Sequence, residues 1–152
     1  MKSIELEQAL LGCLISDSKY IDSVKQYIPN EEFFYSSFNQ KVWLAVDKLN
    51  SSGKDIDLIT ICEEVGNDNE GHNPKYEIVG FLDNVVSASS AVEYAKRLHA
   101  YYLRRVLHNQ MLGISKNLNN TSLETSNLLE EAHTTIGNII KLQPNRTFDI
   151  DS

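Results

Sequence analysis

The stretch that most constrains this chain is EQALLGCLI, Glu7 to Ile15. Ala9 to Ile15 are seven consecutive apolar or glycine residues, about two turns of helix. A helix that is apolar all round is stable only when neighbours surround it. Ser3 stands before it as a candidate N-cap, with Glu5 and Glu7 in the first turn, where the helix dipole favours negative charge. Gly12 in mid-helix costs about 1 kcal/mol against alanine, so another helix is expected to approach closely there.

Nearly every later segment also reads as helix. Tyr20, Ile21, Val24, Tyr27 and Ile28 recur at helical spacing until Pro29. Phe38, Val42, Ala45, Val46 and Leu49 mark a third helix, ended by Ser51-Ser52-Gly53 with Gly53 as a left-handed cap. Ile56 to Ile61 alternates like a strand, but no second strand exists to pair with it. Thr60-Ile61-Cys62-Glu63 fits a capping box, so the segment reads as a loop into a short helix. Gly66 to Pro74 is a polar loop, and Tyr76, Val79, Leu82 and Val86 mark the next helix. From Ala91 to about Leu118 there is no proline and only Gly113, which predicts a helix far above the average of about 11–12 residues. Thr121-Ser122-Leu123-Glu124 fits a second capping box, and a last helix runs to about Leu142 before Pro144. A short turn between two long helices makes an antiparallel hairpin. The fold class is therefore all-α: residues 1–90 a globular helical bundle, residues 91–142 a hairpin, residues 143–152 a linker or free end.

Charge divides the same way. The whole chain carries −7, but residues 1–90 carry seven lysines against fifteen acids, and residues 91–118 carry five bases against Glu93 alone. An acidic chain lacks the basic surface of a dedicated nucleic-acid binder. No apolar run approaches the ~20 residues of a membrane span and no secretory signal opens the chain, so a cytoplasmic location is expected. Cys13 and Cys62 sit among apolar neighbours and read as reduced core thiols. No phosphate-cradling glycine loop and no GxGxxG occur, and the four histidines show no metal-ligand spacing. No catalytic residue, cofactor site or metal site is expected in these residues.

The long helix carries two stripes, Ala91, Tyr94, Ala95, Leu98, Tyr101 and Tyr102, then Leu103, Val106, Leu107, Met111, Ile114 and Leu118. The step between them turns the apolar face by about 100°, so its two halves meet different neighbours. The second half meets the returning helix through Leu128, Leu129, Ala132, Ile136, Ile139 and Ile140. Two helices leave each other half covered, and a buried side chain of this kind is worth about 1.5–3 kcal/mol. A second hairpin packing on the first, through a two-fold dimer, is the physical expectation, the alternative being that the globular part folds back and covers it. The candidate interface is Leu103, Leu107, Met111, Ile114, Leu118, Leu129, Ile136 and Ile140, with Arg104 and Arg105 as candidate charged contacts to a partner.

These residues, in this order, resemble the N-terminal domain of the bacterial replicative DNA helicase of the hexameric DnaB type. The resemblance is carried by EQALLGCLI, Pro29 with FFY (Phe33 to Tyr35), FNQKVWLAVDKL (Phe38 to Leu49), DIDLITI (Asp55 to Ile61), YEIVGFL (Tyr76 to Leu82), SSAVEYAKRL (Ser89 to Leu98) and LRRVL (Leu103 to Leu107). It implies a globular helical part with the first helix at its centre, ringed by the others, and a hairpin that pairs between subunits, the pairs forming a three-fold collar on a hexamer. It also implies docking of the primase C-terminal domain and possibly a helicase loader. ATP, Mg and DNA translocation belong to a separate motor domain, to which residues 143–152 would lead. The family's glycine pair before the Tyr76 helix is here the single Gly71. The alternative reading is a stand-alone dimeric helical adaptor or loader-like protein on the same fold.

Overall fold

A computed structural model describes residues 3–144. All regular elements among them are helical: α1 (Ile4–Ser16), α2 (Ile21–Lys25), α3 (Ser37–Ser51), α4 (Leu58–Val65), α5 (Lys75–Asp83), α6 (Ala91–Asn117) and α7 (Thr125–Ile140). Short 3-10 turns precede α2, α3 and α6. No helix among the described residues is long and apolar enough to cross a membrane. The chain divides into two compact units between His99 and Ala100. The expected linker from residue 145 onward lies outside the described residues.

In the first unit α1 is the central helix. Leu10, Leu11 and Leu14 have no exposed surface, and α1 packs against α3, α5 and the turn at Ala88–Ser90. Ser3 caps it by accepting from the Leu6 amide. Gly12 is needed for packing: a Cβ there would strike the Phe81 carbonyl and come within 2.8 Å of Val85 Cγ2. The first turns of α6 complete this core through Ala91, Ala95 and Leu98, all buried. His99 closes it, with Nδ1 donating to the Tyr27 carbonyl at 2.7 Å and its ring stacked on Phe33.

Glu7 departs from the expectation of a surface charge favoured by the helix dipole. It is fully buried. Its Oε2 accepts from the Tyr35 amide at 2.7 Å, and its Oε1 from the Ser36 amide at 3.2 Å and from Asn39 Nδ2 at 3.0 Å. It pins the turn entering α3, whose own cap is Ser36 accepting from Asn39 N.

Other expectations need correction. The helix expected from Tyr20 to Ile28 is a 3-10 turn at Ser18–Tyr20 followed by the five residues of α2. The capping box of α4 lies one turn earlier than expected. Asp57 is the N-cap and accepts from Thr60 N at 2.9 Å, while Thr60 Oγ1 accepts from Asp57 N at 3.0 Å. Thr60 is thus the third residue of the box, because an aspartate cap in extended backbone already stands before it. In α5 the buried residues are Ile78 and Phe81, whereas Tyr76 is 86% exposed, and the helix ends at Asp83, before Val86, which is 98% exposed. That helix carries apolar residues on two faces, and contact with α1 at Gly12 selects the one bearing Phe81.

Candidate functional site

The second unit is the hairpin of α6 beyond His99 and α7. The turn between them does not form the expected capping box. Ser122 N donates to Asn120 Oδ1, and α7 starts at Thr125 with no side-chain cap at Glu124. Asn120 draws the threonine-serine turn back on itself, leaving Glu124 with nothing to reach back to.

The two helices run antiparallel. Leu103, Arg104 and Leu107 share a cleft of about 280 Å³ with Ile139, Ile140 and Gln143. On the other side, Val106 and Gln110 share a cleft with Thr135, Asn138 and Leu142. The first side is apolar apart from its rim, and the second mixes polar and apolar groups. At 100° per residue, Leu103, Leu107, Met111, Ile114 and Leu118 fall within about 80° of one another on α6. Leu129, Ile136 and Ile140 likewise share one flank of α7. Because Leu103 and Leu107 line the same cleft as Ile140, the flanks adjoin, and all eight candidate residues lie on one face.

That face is open. Leu107 and Ile136 are each 42% exposed, Leu118 60% and Leu129 66%. Leu103, Met111, Ile114 and Ile140 are half-buried. No residue of α7 is buried, and every buried residue of α6 precedes Ala100. Contiguous exposed apolar surface of this kind marks an interaction site. Of the candidate charged contacts, Arg104 is exposed, and Arg105 is half-buried with its guanidinium 5.7 Å from the Tyr102 ring centre. Leu112, 49% exposed, went unmarked in the sequence because it lies off both stripes among polar neighbours.

Nothing else gathers reactive groups. No cluster of three or more His, Cys, Asp or Glu among the described residues could hold a metal ion. Cys13 and Cys62 are free, and burial pushes both thiols up from their ordinary value, Lys75 partly opposing it at Cys62. A raised thiol is a poor nucleophile at neutral pH. Asp68 is held below the usual carboxylate range, first by the His72 backbone amide and then by further bonds from Glu70 and the His72 ring, but this is an exposed loop pair.

The class this defines is an all-helical unit with a buried core followed by a helical hairpin with an open apolar face. Residues 1–100 match the model of the DnaB-like helicase N-terminal domain, and the chain belongs to that family. The DnaB replicative helicase of Rhodothermus marinus is 29% identical over 105 residues, 68% of this chain and 11% of that protein. The replicative helicase DnaC of Bacillus subtilis is 26% identical over 138 residues, 89% of this chain and 30% of that protein. The chain therefore spans less than a third of the curated relatives it matches. The fold is that of the crystal structure of the DnaB N-terminal domain from Mycobacterium tuberculosis, with a TM-score of 0.77, 20% identity, and 90% and 97% of the two chains covered. A DnaB-like replicative helicase solved for its interactions with primase aligns with a TM-score of 0.71 at 17% identity, covering 96% of this chain and 33% of that one. The matched domain is the one that precedes the ATPase motor, which makes its role non-catalytic.

Proposed function

We propose that this chain assembles and docks a replicative helicase: the apolar face of its hairpin pairs with the same face of a second copy, and three such pairs form the collar of a hexamer. The observation that carries the reading is the open apolar face itself, eight residues on one side of two helices that bury nothing between them to core standard. A two-fold axis through that face sets four helices together and covers it on both copies. The same collar is the docking ground for the C-terminal domain of primase, and for a loader where one exists. The relative whose structure was determined for its interactions with primase supports that class of partner. ATP and Mg belong to the motor of such helicases, and no cofactor is assigned to these residues. DNA contact is likewise left to the motor.

Light scattering combined with circular dichroism tests the pairing. The unmutated chain is expected to be a dimer. Ile114→Asp and Leu129→Asp should each shift it to monomer with helix content kept, because a buried charge must be desolvated in the pair and stays wet in the monomer. Leu129 is 66% exposed, so its variant keeps the test sound if the half-buried Ile114 site disturbs the hairpin. A monomeric unmutated chain at high concentration would refute the interface.

A further inference from the structure

The apolar cleft between α6 and α7 opens beside the point where the chain leaves the hairpin. It has a volume of about 280 Å³ and is lined by Leu103, Leu107, Ile139 and Ile140, with Arg104 and Gln143 at its rim. Leu107 is 42% exposed and the other three apolar residues are half-buried. Arg104 is exposed and has no ion-pair partner among the described residues. No acidic residue occurs from Tyr94 to Leu123, so α6 offers it no counter-charge nearby.

The chain that follows has the complementary pattern. Residues 145–152, outside the described residues, read NRTFDIDS. Phe148 and Ile150 alternate with Asp149 and Asp151, so an extended segment would put the two apolar side chains on one side and the two carboxylates on the other. Arg146 is the one base among them. Gln143 already lines the cleft, and Phe148 stands five residues further on, a reach of roughly 17 Å when fully extended. Leu103 and Leu107 are about 6 Å apart along α6. Phe148 and Ile150 are therefore within range of the cleft with both helices left in place. With those two side chains in the cleft, Asp149 or Asp151 can meet Arg104 at its rim. The cleft on the other side of the hairpin, lined by Val106, Gln110, Thr135, Asn138, Ile139 and Leu142, has no cation and a mixed floor.

We infer that residues 147–151 fold back onto the Leu103–Ile140 cleft of their own hairpin and cover part of the face that pairs. The inference rests on the proposed pairing and concerns its control. Leu103, Leu107 and Ile140 belong to both surfaces, so the tail and a second copy compete for them. Pairing then requires release of the tail on both copies, and the fraction of open faces enters the equilibrium once for each copy.

Sedimentation equilibrium on the whole chain, over a dilution series, reads the competition. Phe148→Ser with Ile150→Ser should tighten the dimer at least about tenfold, because it opens the face on both copies and alters no pairing residue. Asp149→Lys with Asp151→Lys should tighten it too, since like charge then faces Arg104. Occupancy of the cleft is read directly in the Leu129→Asp variant, whose substituted residue does not line it. Nuclear Overhauser contacts between the Phe148 ring and the methyl groups of Leu107 and Ile140 are expected there. A dimer whose affinity ignores the tail substitutions, or a Phe148 ring without those contacts, overturns the inference and leaves the pairing standing. Weaker pairing in the tail variants also overturns it, and means that the tail holds the second copy instead. A chain that stays monomeric with and without the tail substitutions removes the pairing and the inference with it.

Discussion

Two side chains in α1 carry consequences out of proportion to their size. Glu7 supplies two oxygens to three donors in a site with no water-exposed surface. Glu7→Ala should cost roughly 3 kcal/mol or more, because each buried donor left unpaired costs about 1–3 kcal/mol. Glu7→Gln should lose nearly as much, since one oxygen becomes an NH2 facing an amide donor. Urea denaturation reads both, and a Gln variant close to the unmutated chain would mean the network tolerates a donor there. Gly12→Ala is the second case. Helix propensity alone favours alanine by about 1 kcal/mol, yet the Cβ would strike Phe81 and Val85. Overpacking of this kind typically costs about 1–3 kcal/mol, so a lower melting temperature is expected rather than a higher one. The Asp68 loop gives a pH signature. The carboxyl is lowered in the folded chain, so its contribution is present above the ordinary carboxylate pKa and lost as pH falls through the lower folded value. The side-chain carboxyl resonance of Asp68 should therefore move only below the ordinary carboxylate range, which a pH titration by NMR reads.

Two helix starts read as capping boxes in the sequence, and the structure distinguishes them. Asp57→Ala removes a working capping box and should cost about 1 kcal/mol. Glu124→Ala removes a residue with no capping bond and should cost little. Thermal melts of the two variants side by side check this, and equal losses would mean that the α7 box forms in solution. The hairpin illustrates the other property of an element, the face it presents. Eight apolar residues at helical spacing on two helices define one face in the sequence, because periodicity fixes which residues share a side, and Leu107, Leu118, Leu129 and Ile136 of that set are exposed in the structure. Periodicity failed at α5, where Tyr76 satisfied the spacing and is exposed, and Val86, which also satisfied it, lies beyond the end of the helix.

For the whole molecule the expectation is a module that binds proteins and performs no chemistry. Purified chain should show no ATP hydrolysis above buffer, and an activity lost on mutating its own carboxylates would contradict that. Single-stranded DNA should bind weakly near physiological salt, given the net charge of −7 and the lack of a basic groove lined by aromatics. Fluorescence anisotropy with a labelled oligonucleotide measures it, and sub-micromolar affinity would contradict the assignment. In a parent helicase, Ile114→Asp should weaken the collar and lower primase stimulation while leaving the ATPase of the motor intact.

By itself the sequence determined the all-helical class, the apolar circumference of α1, the close contact at Gly12, the long α6 and the apolar face of the hairpin. These follow from spacing and composition along a single segment, which local geometry converts directly into a buried side. The tertiary structure alone decided the burial of Glu7, the face of α5, the cap of α4 and the place where the two units divide. The cap of α4 is a local choice between two neighbouring candidates, but the other three depend on groups distant in sequence: Tyr35, Ser36 and Asn39 for Glu7, α1 for α5, the globular core for the first turns of α6. A glutamate in a first helical turn looks the same in sequence whether water or three buried donors await it, and only the folded chain brings the donors there.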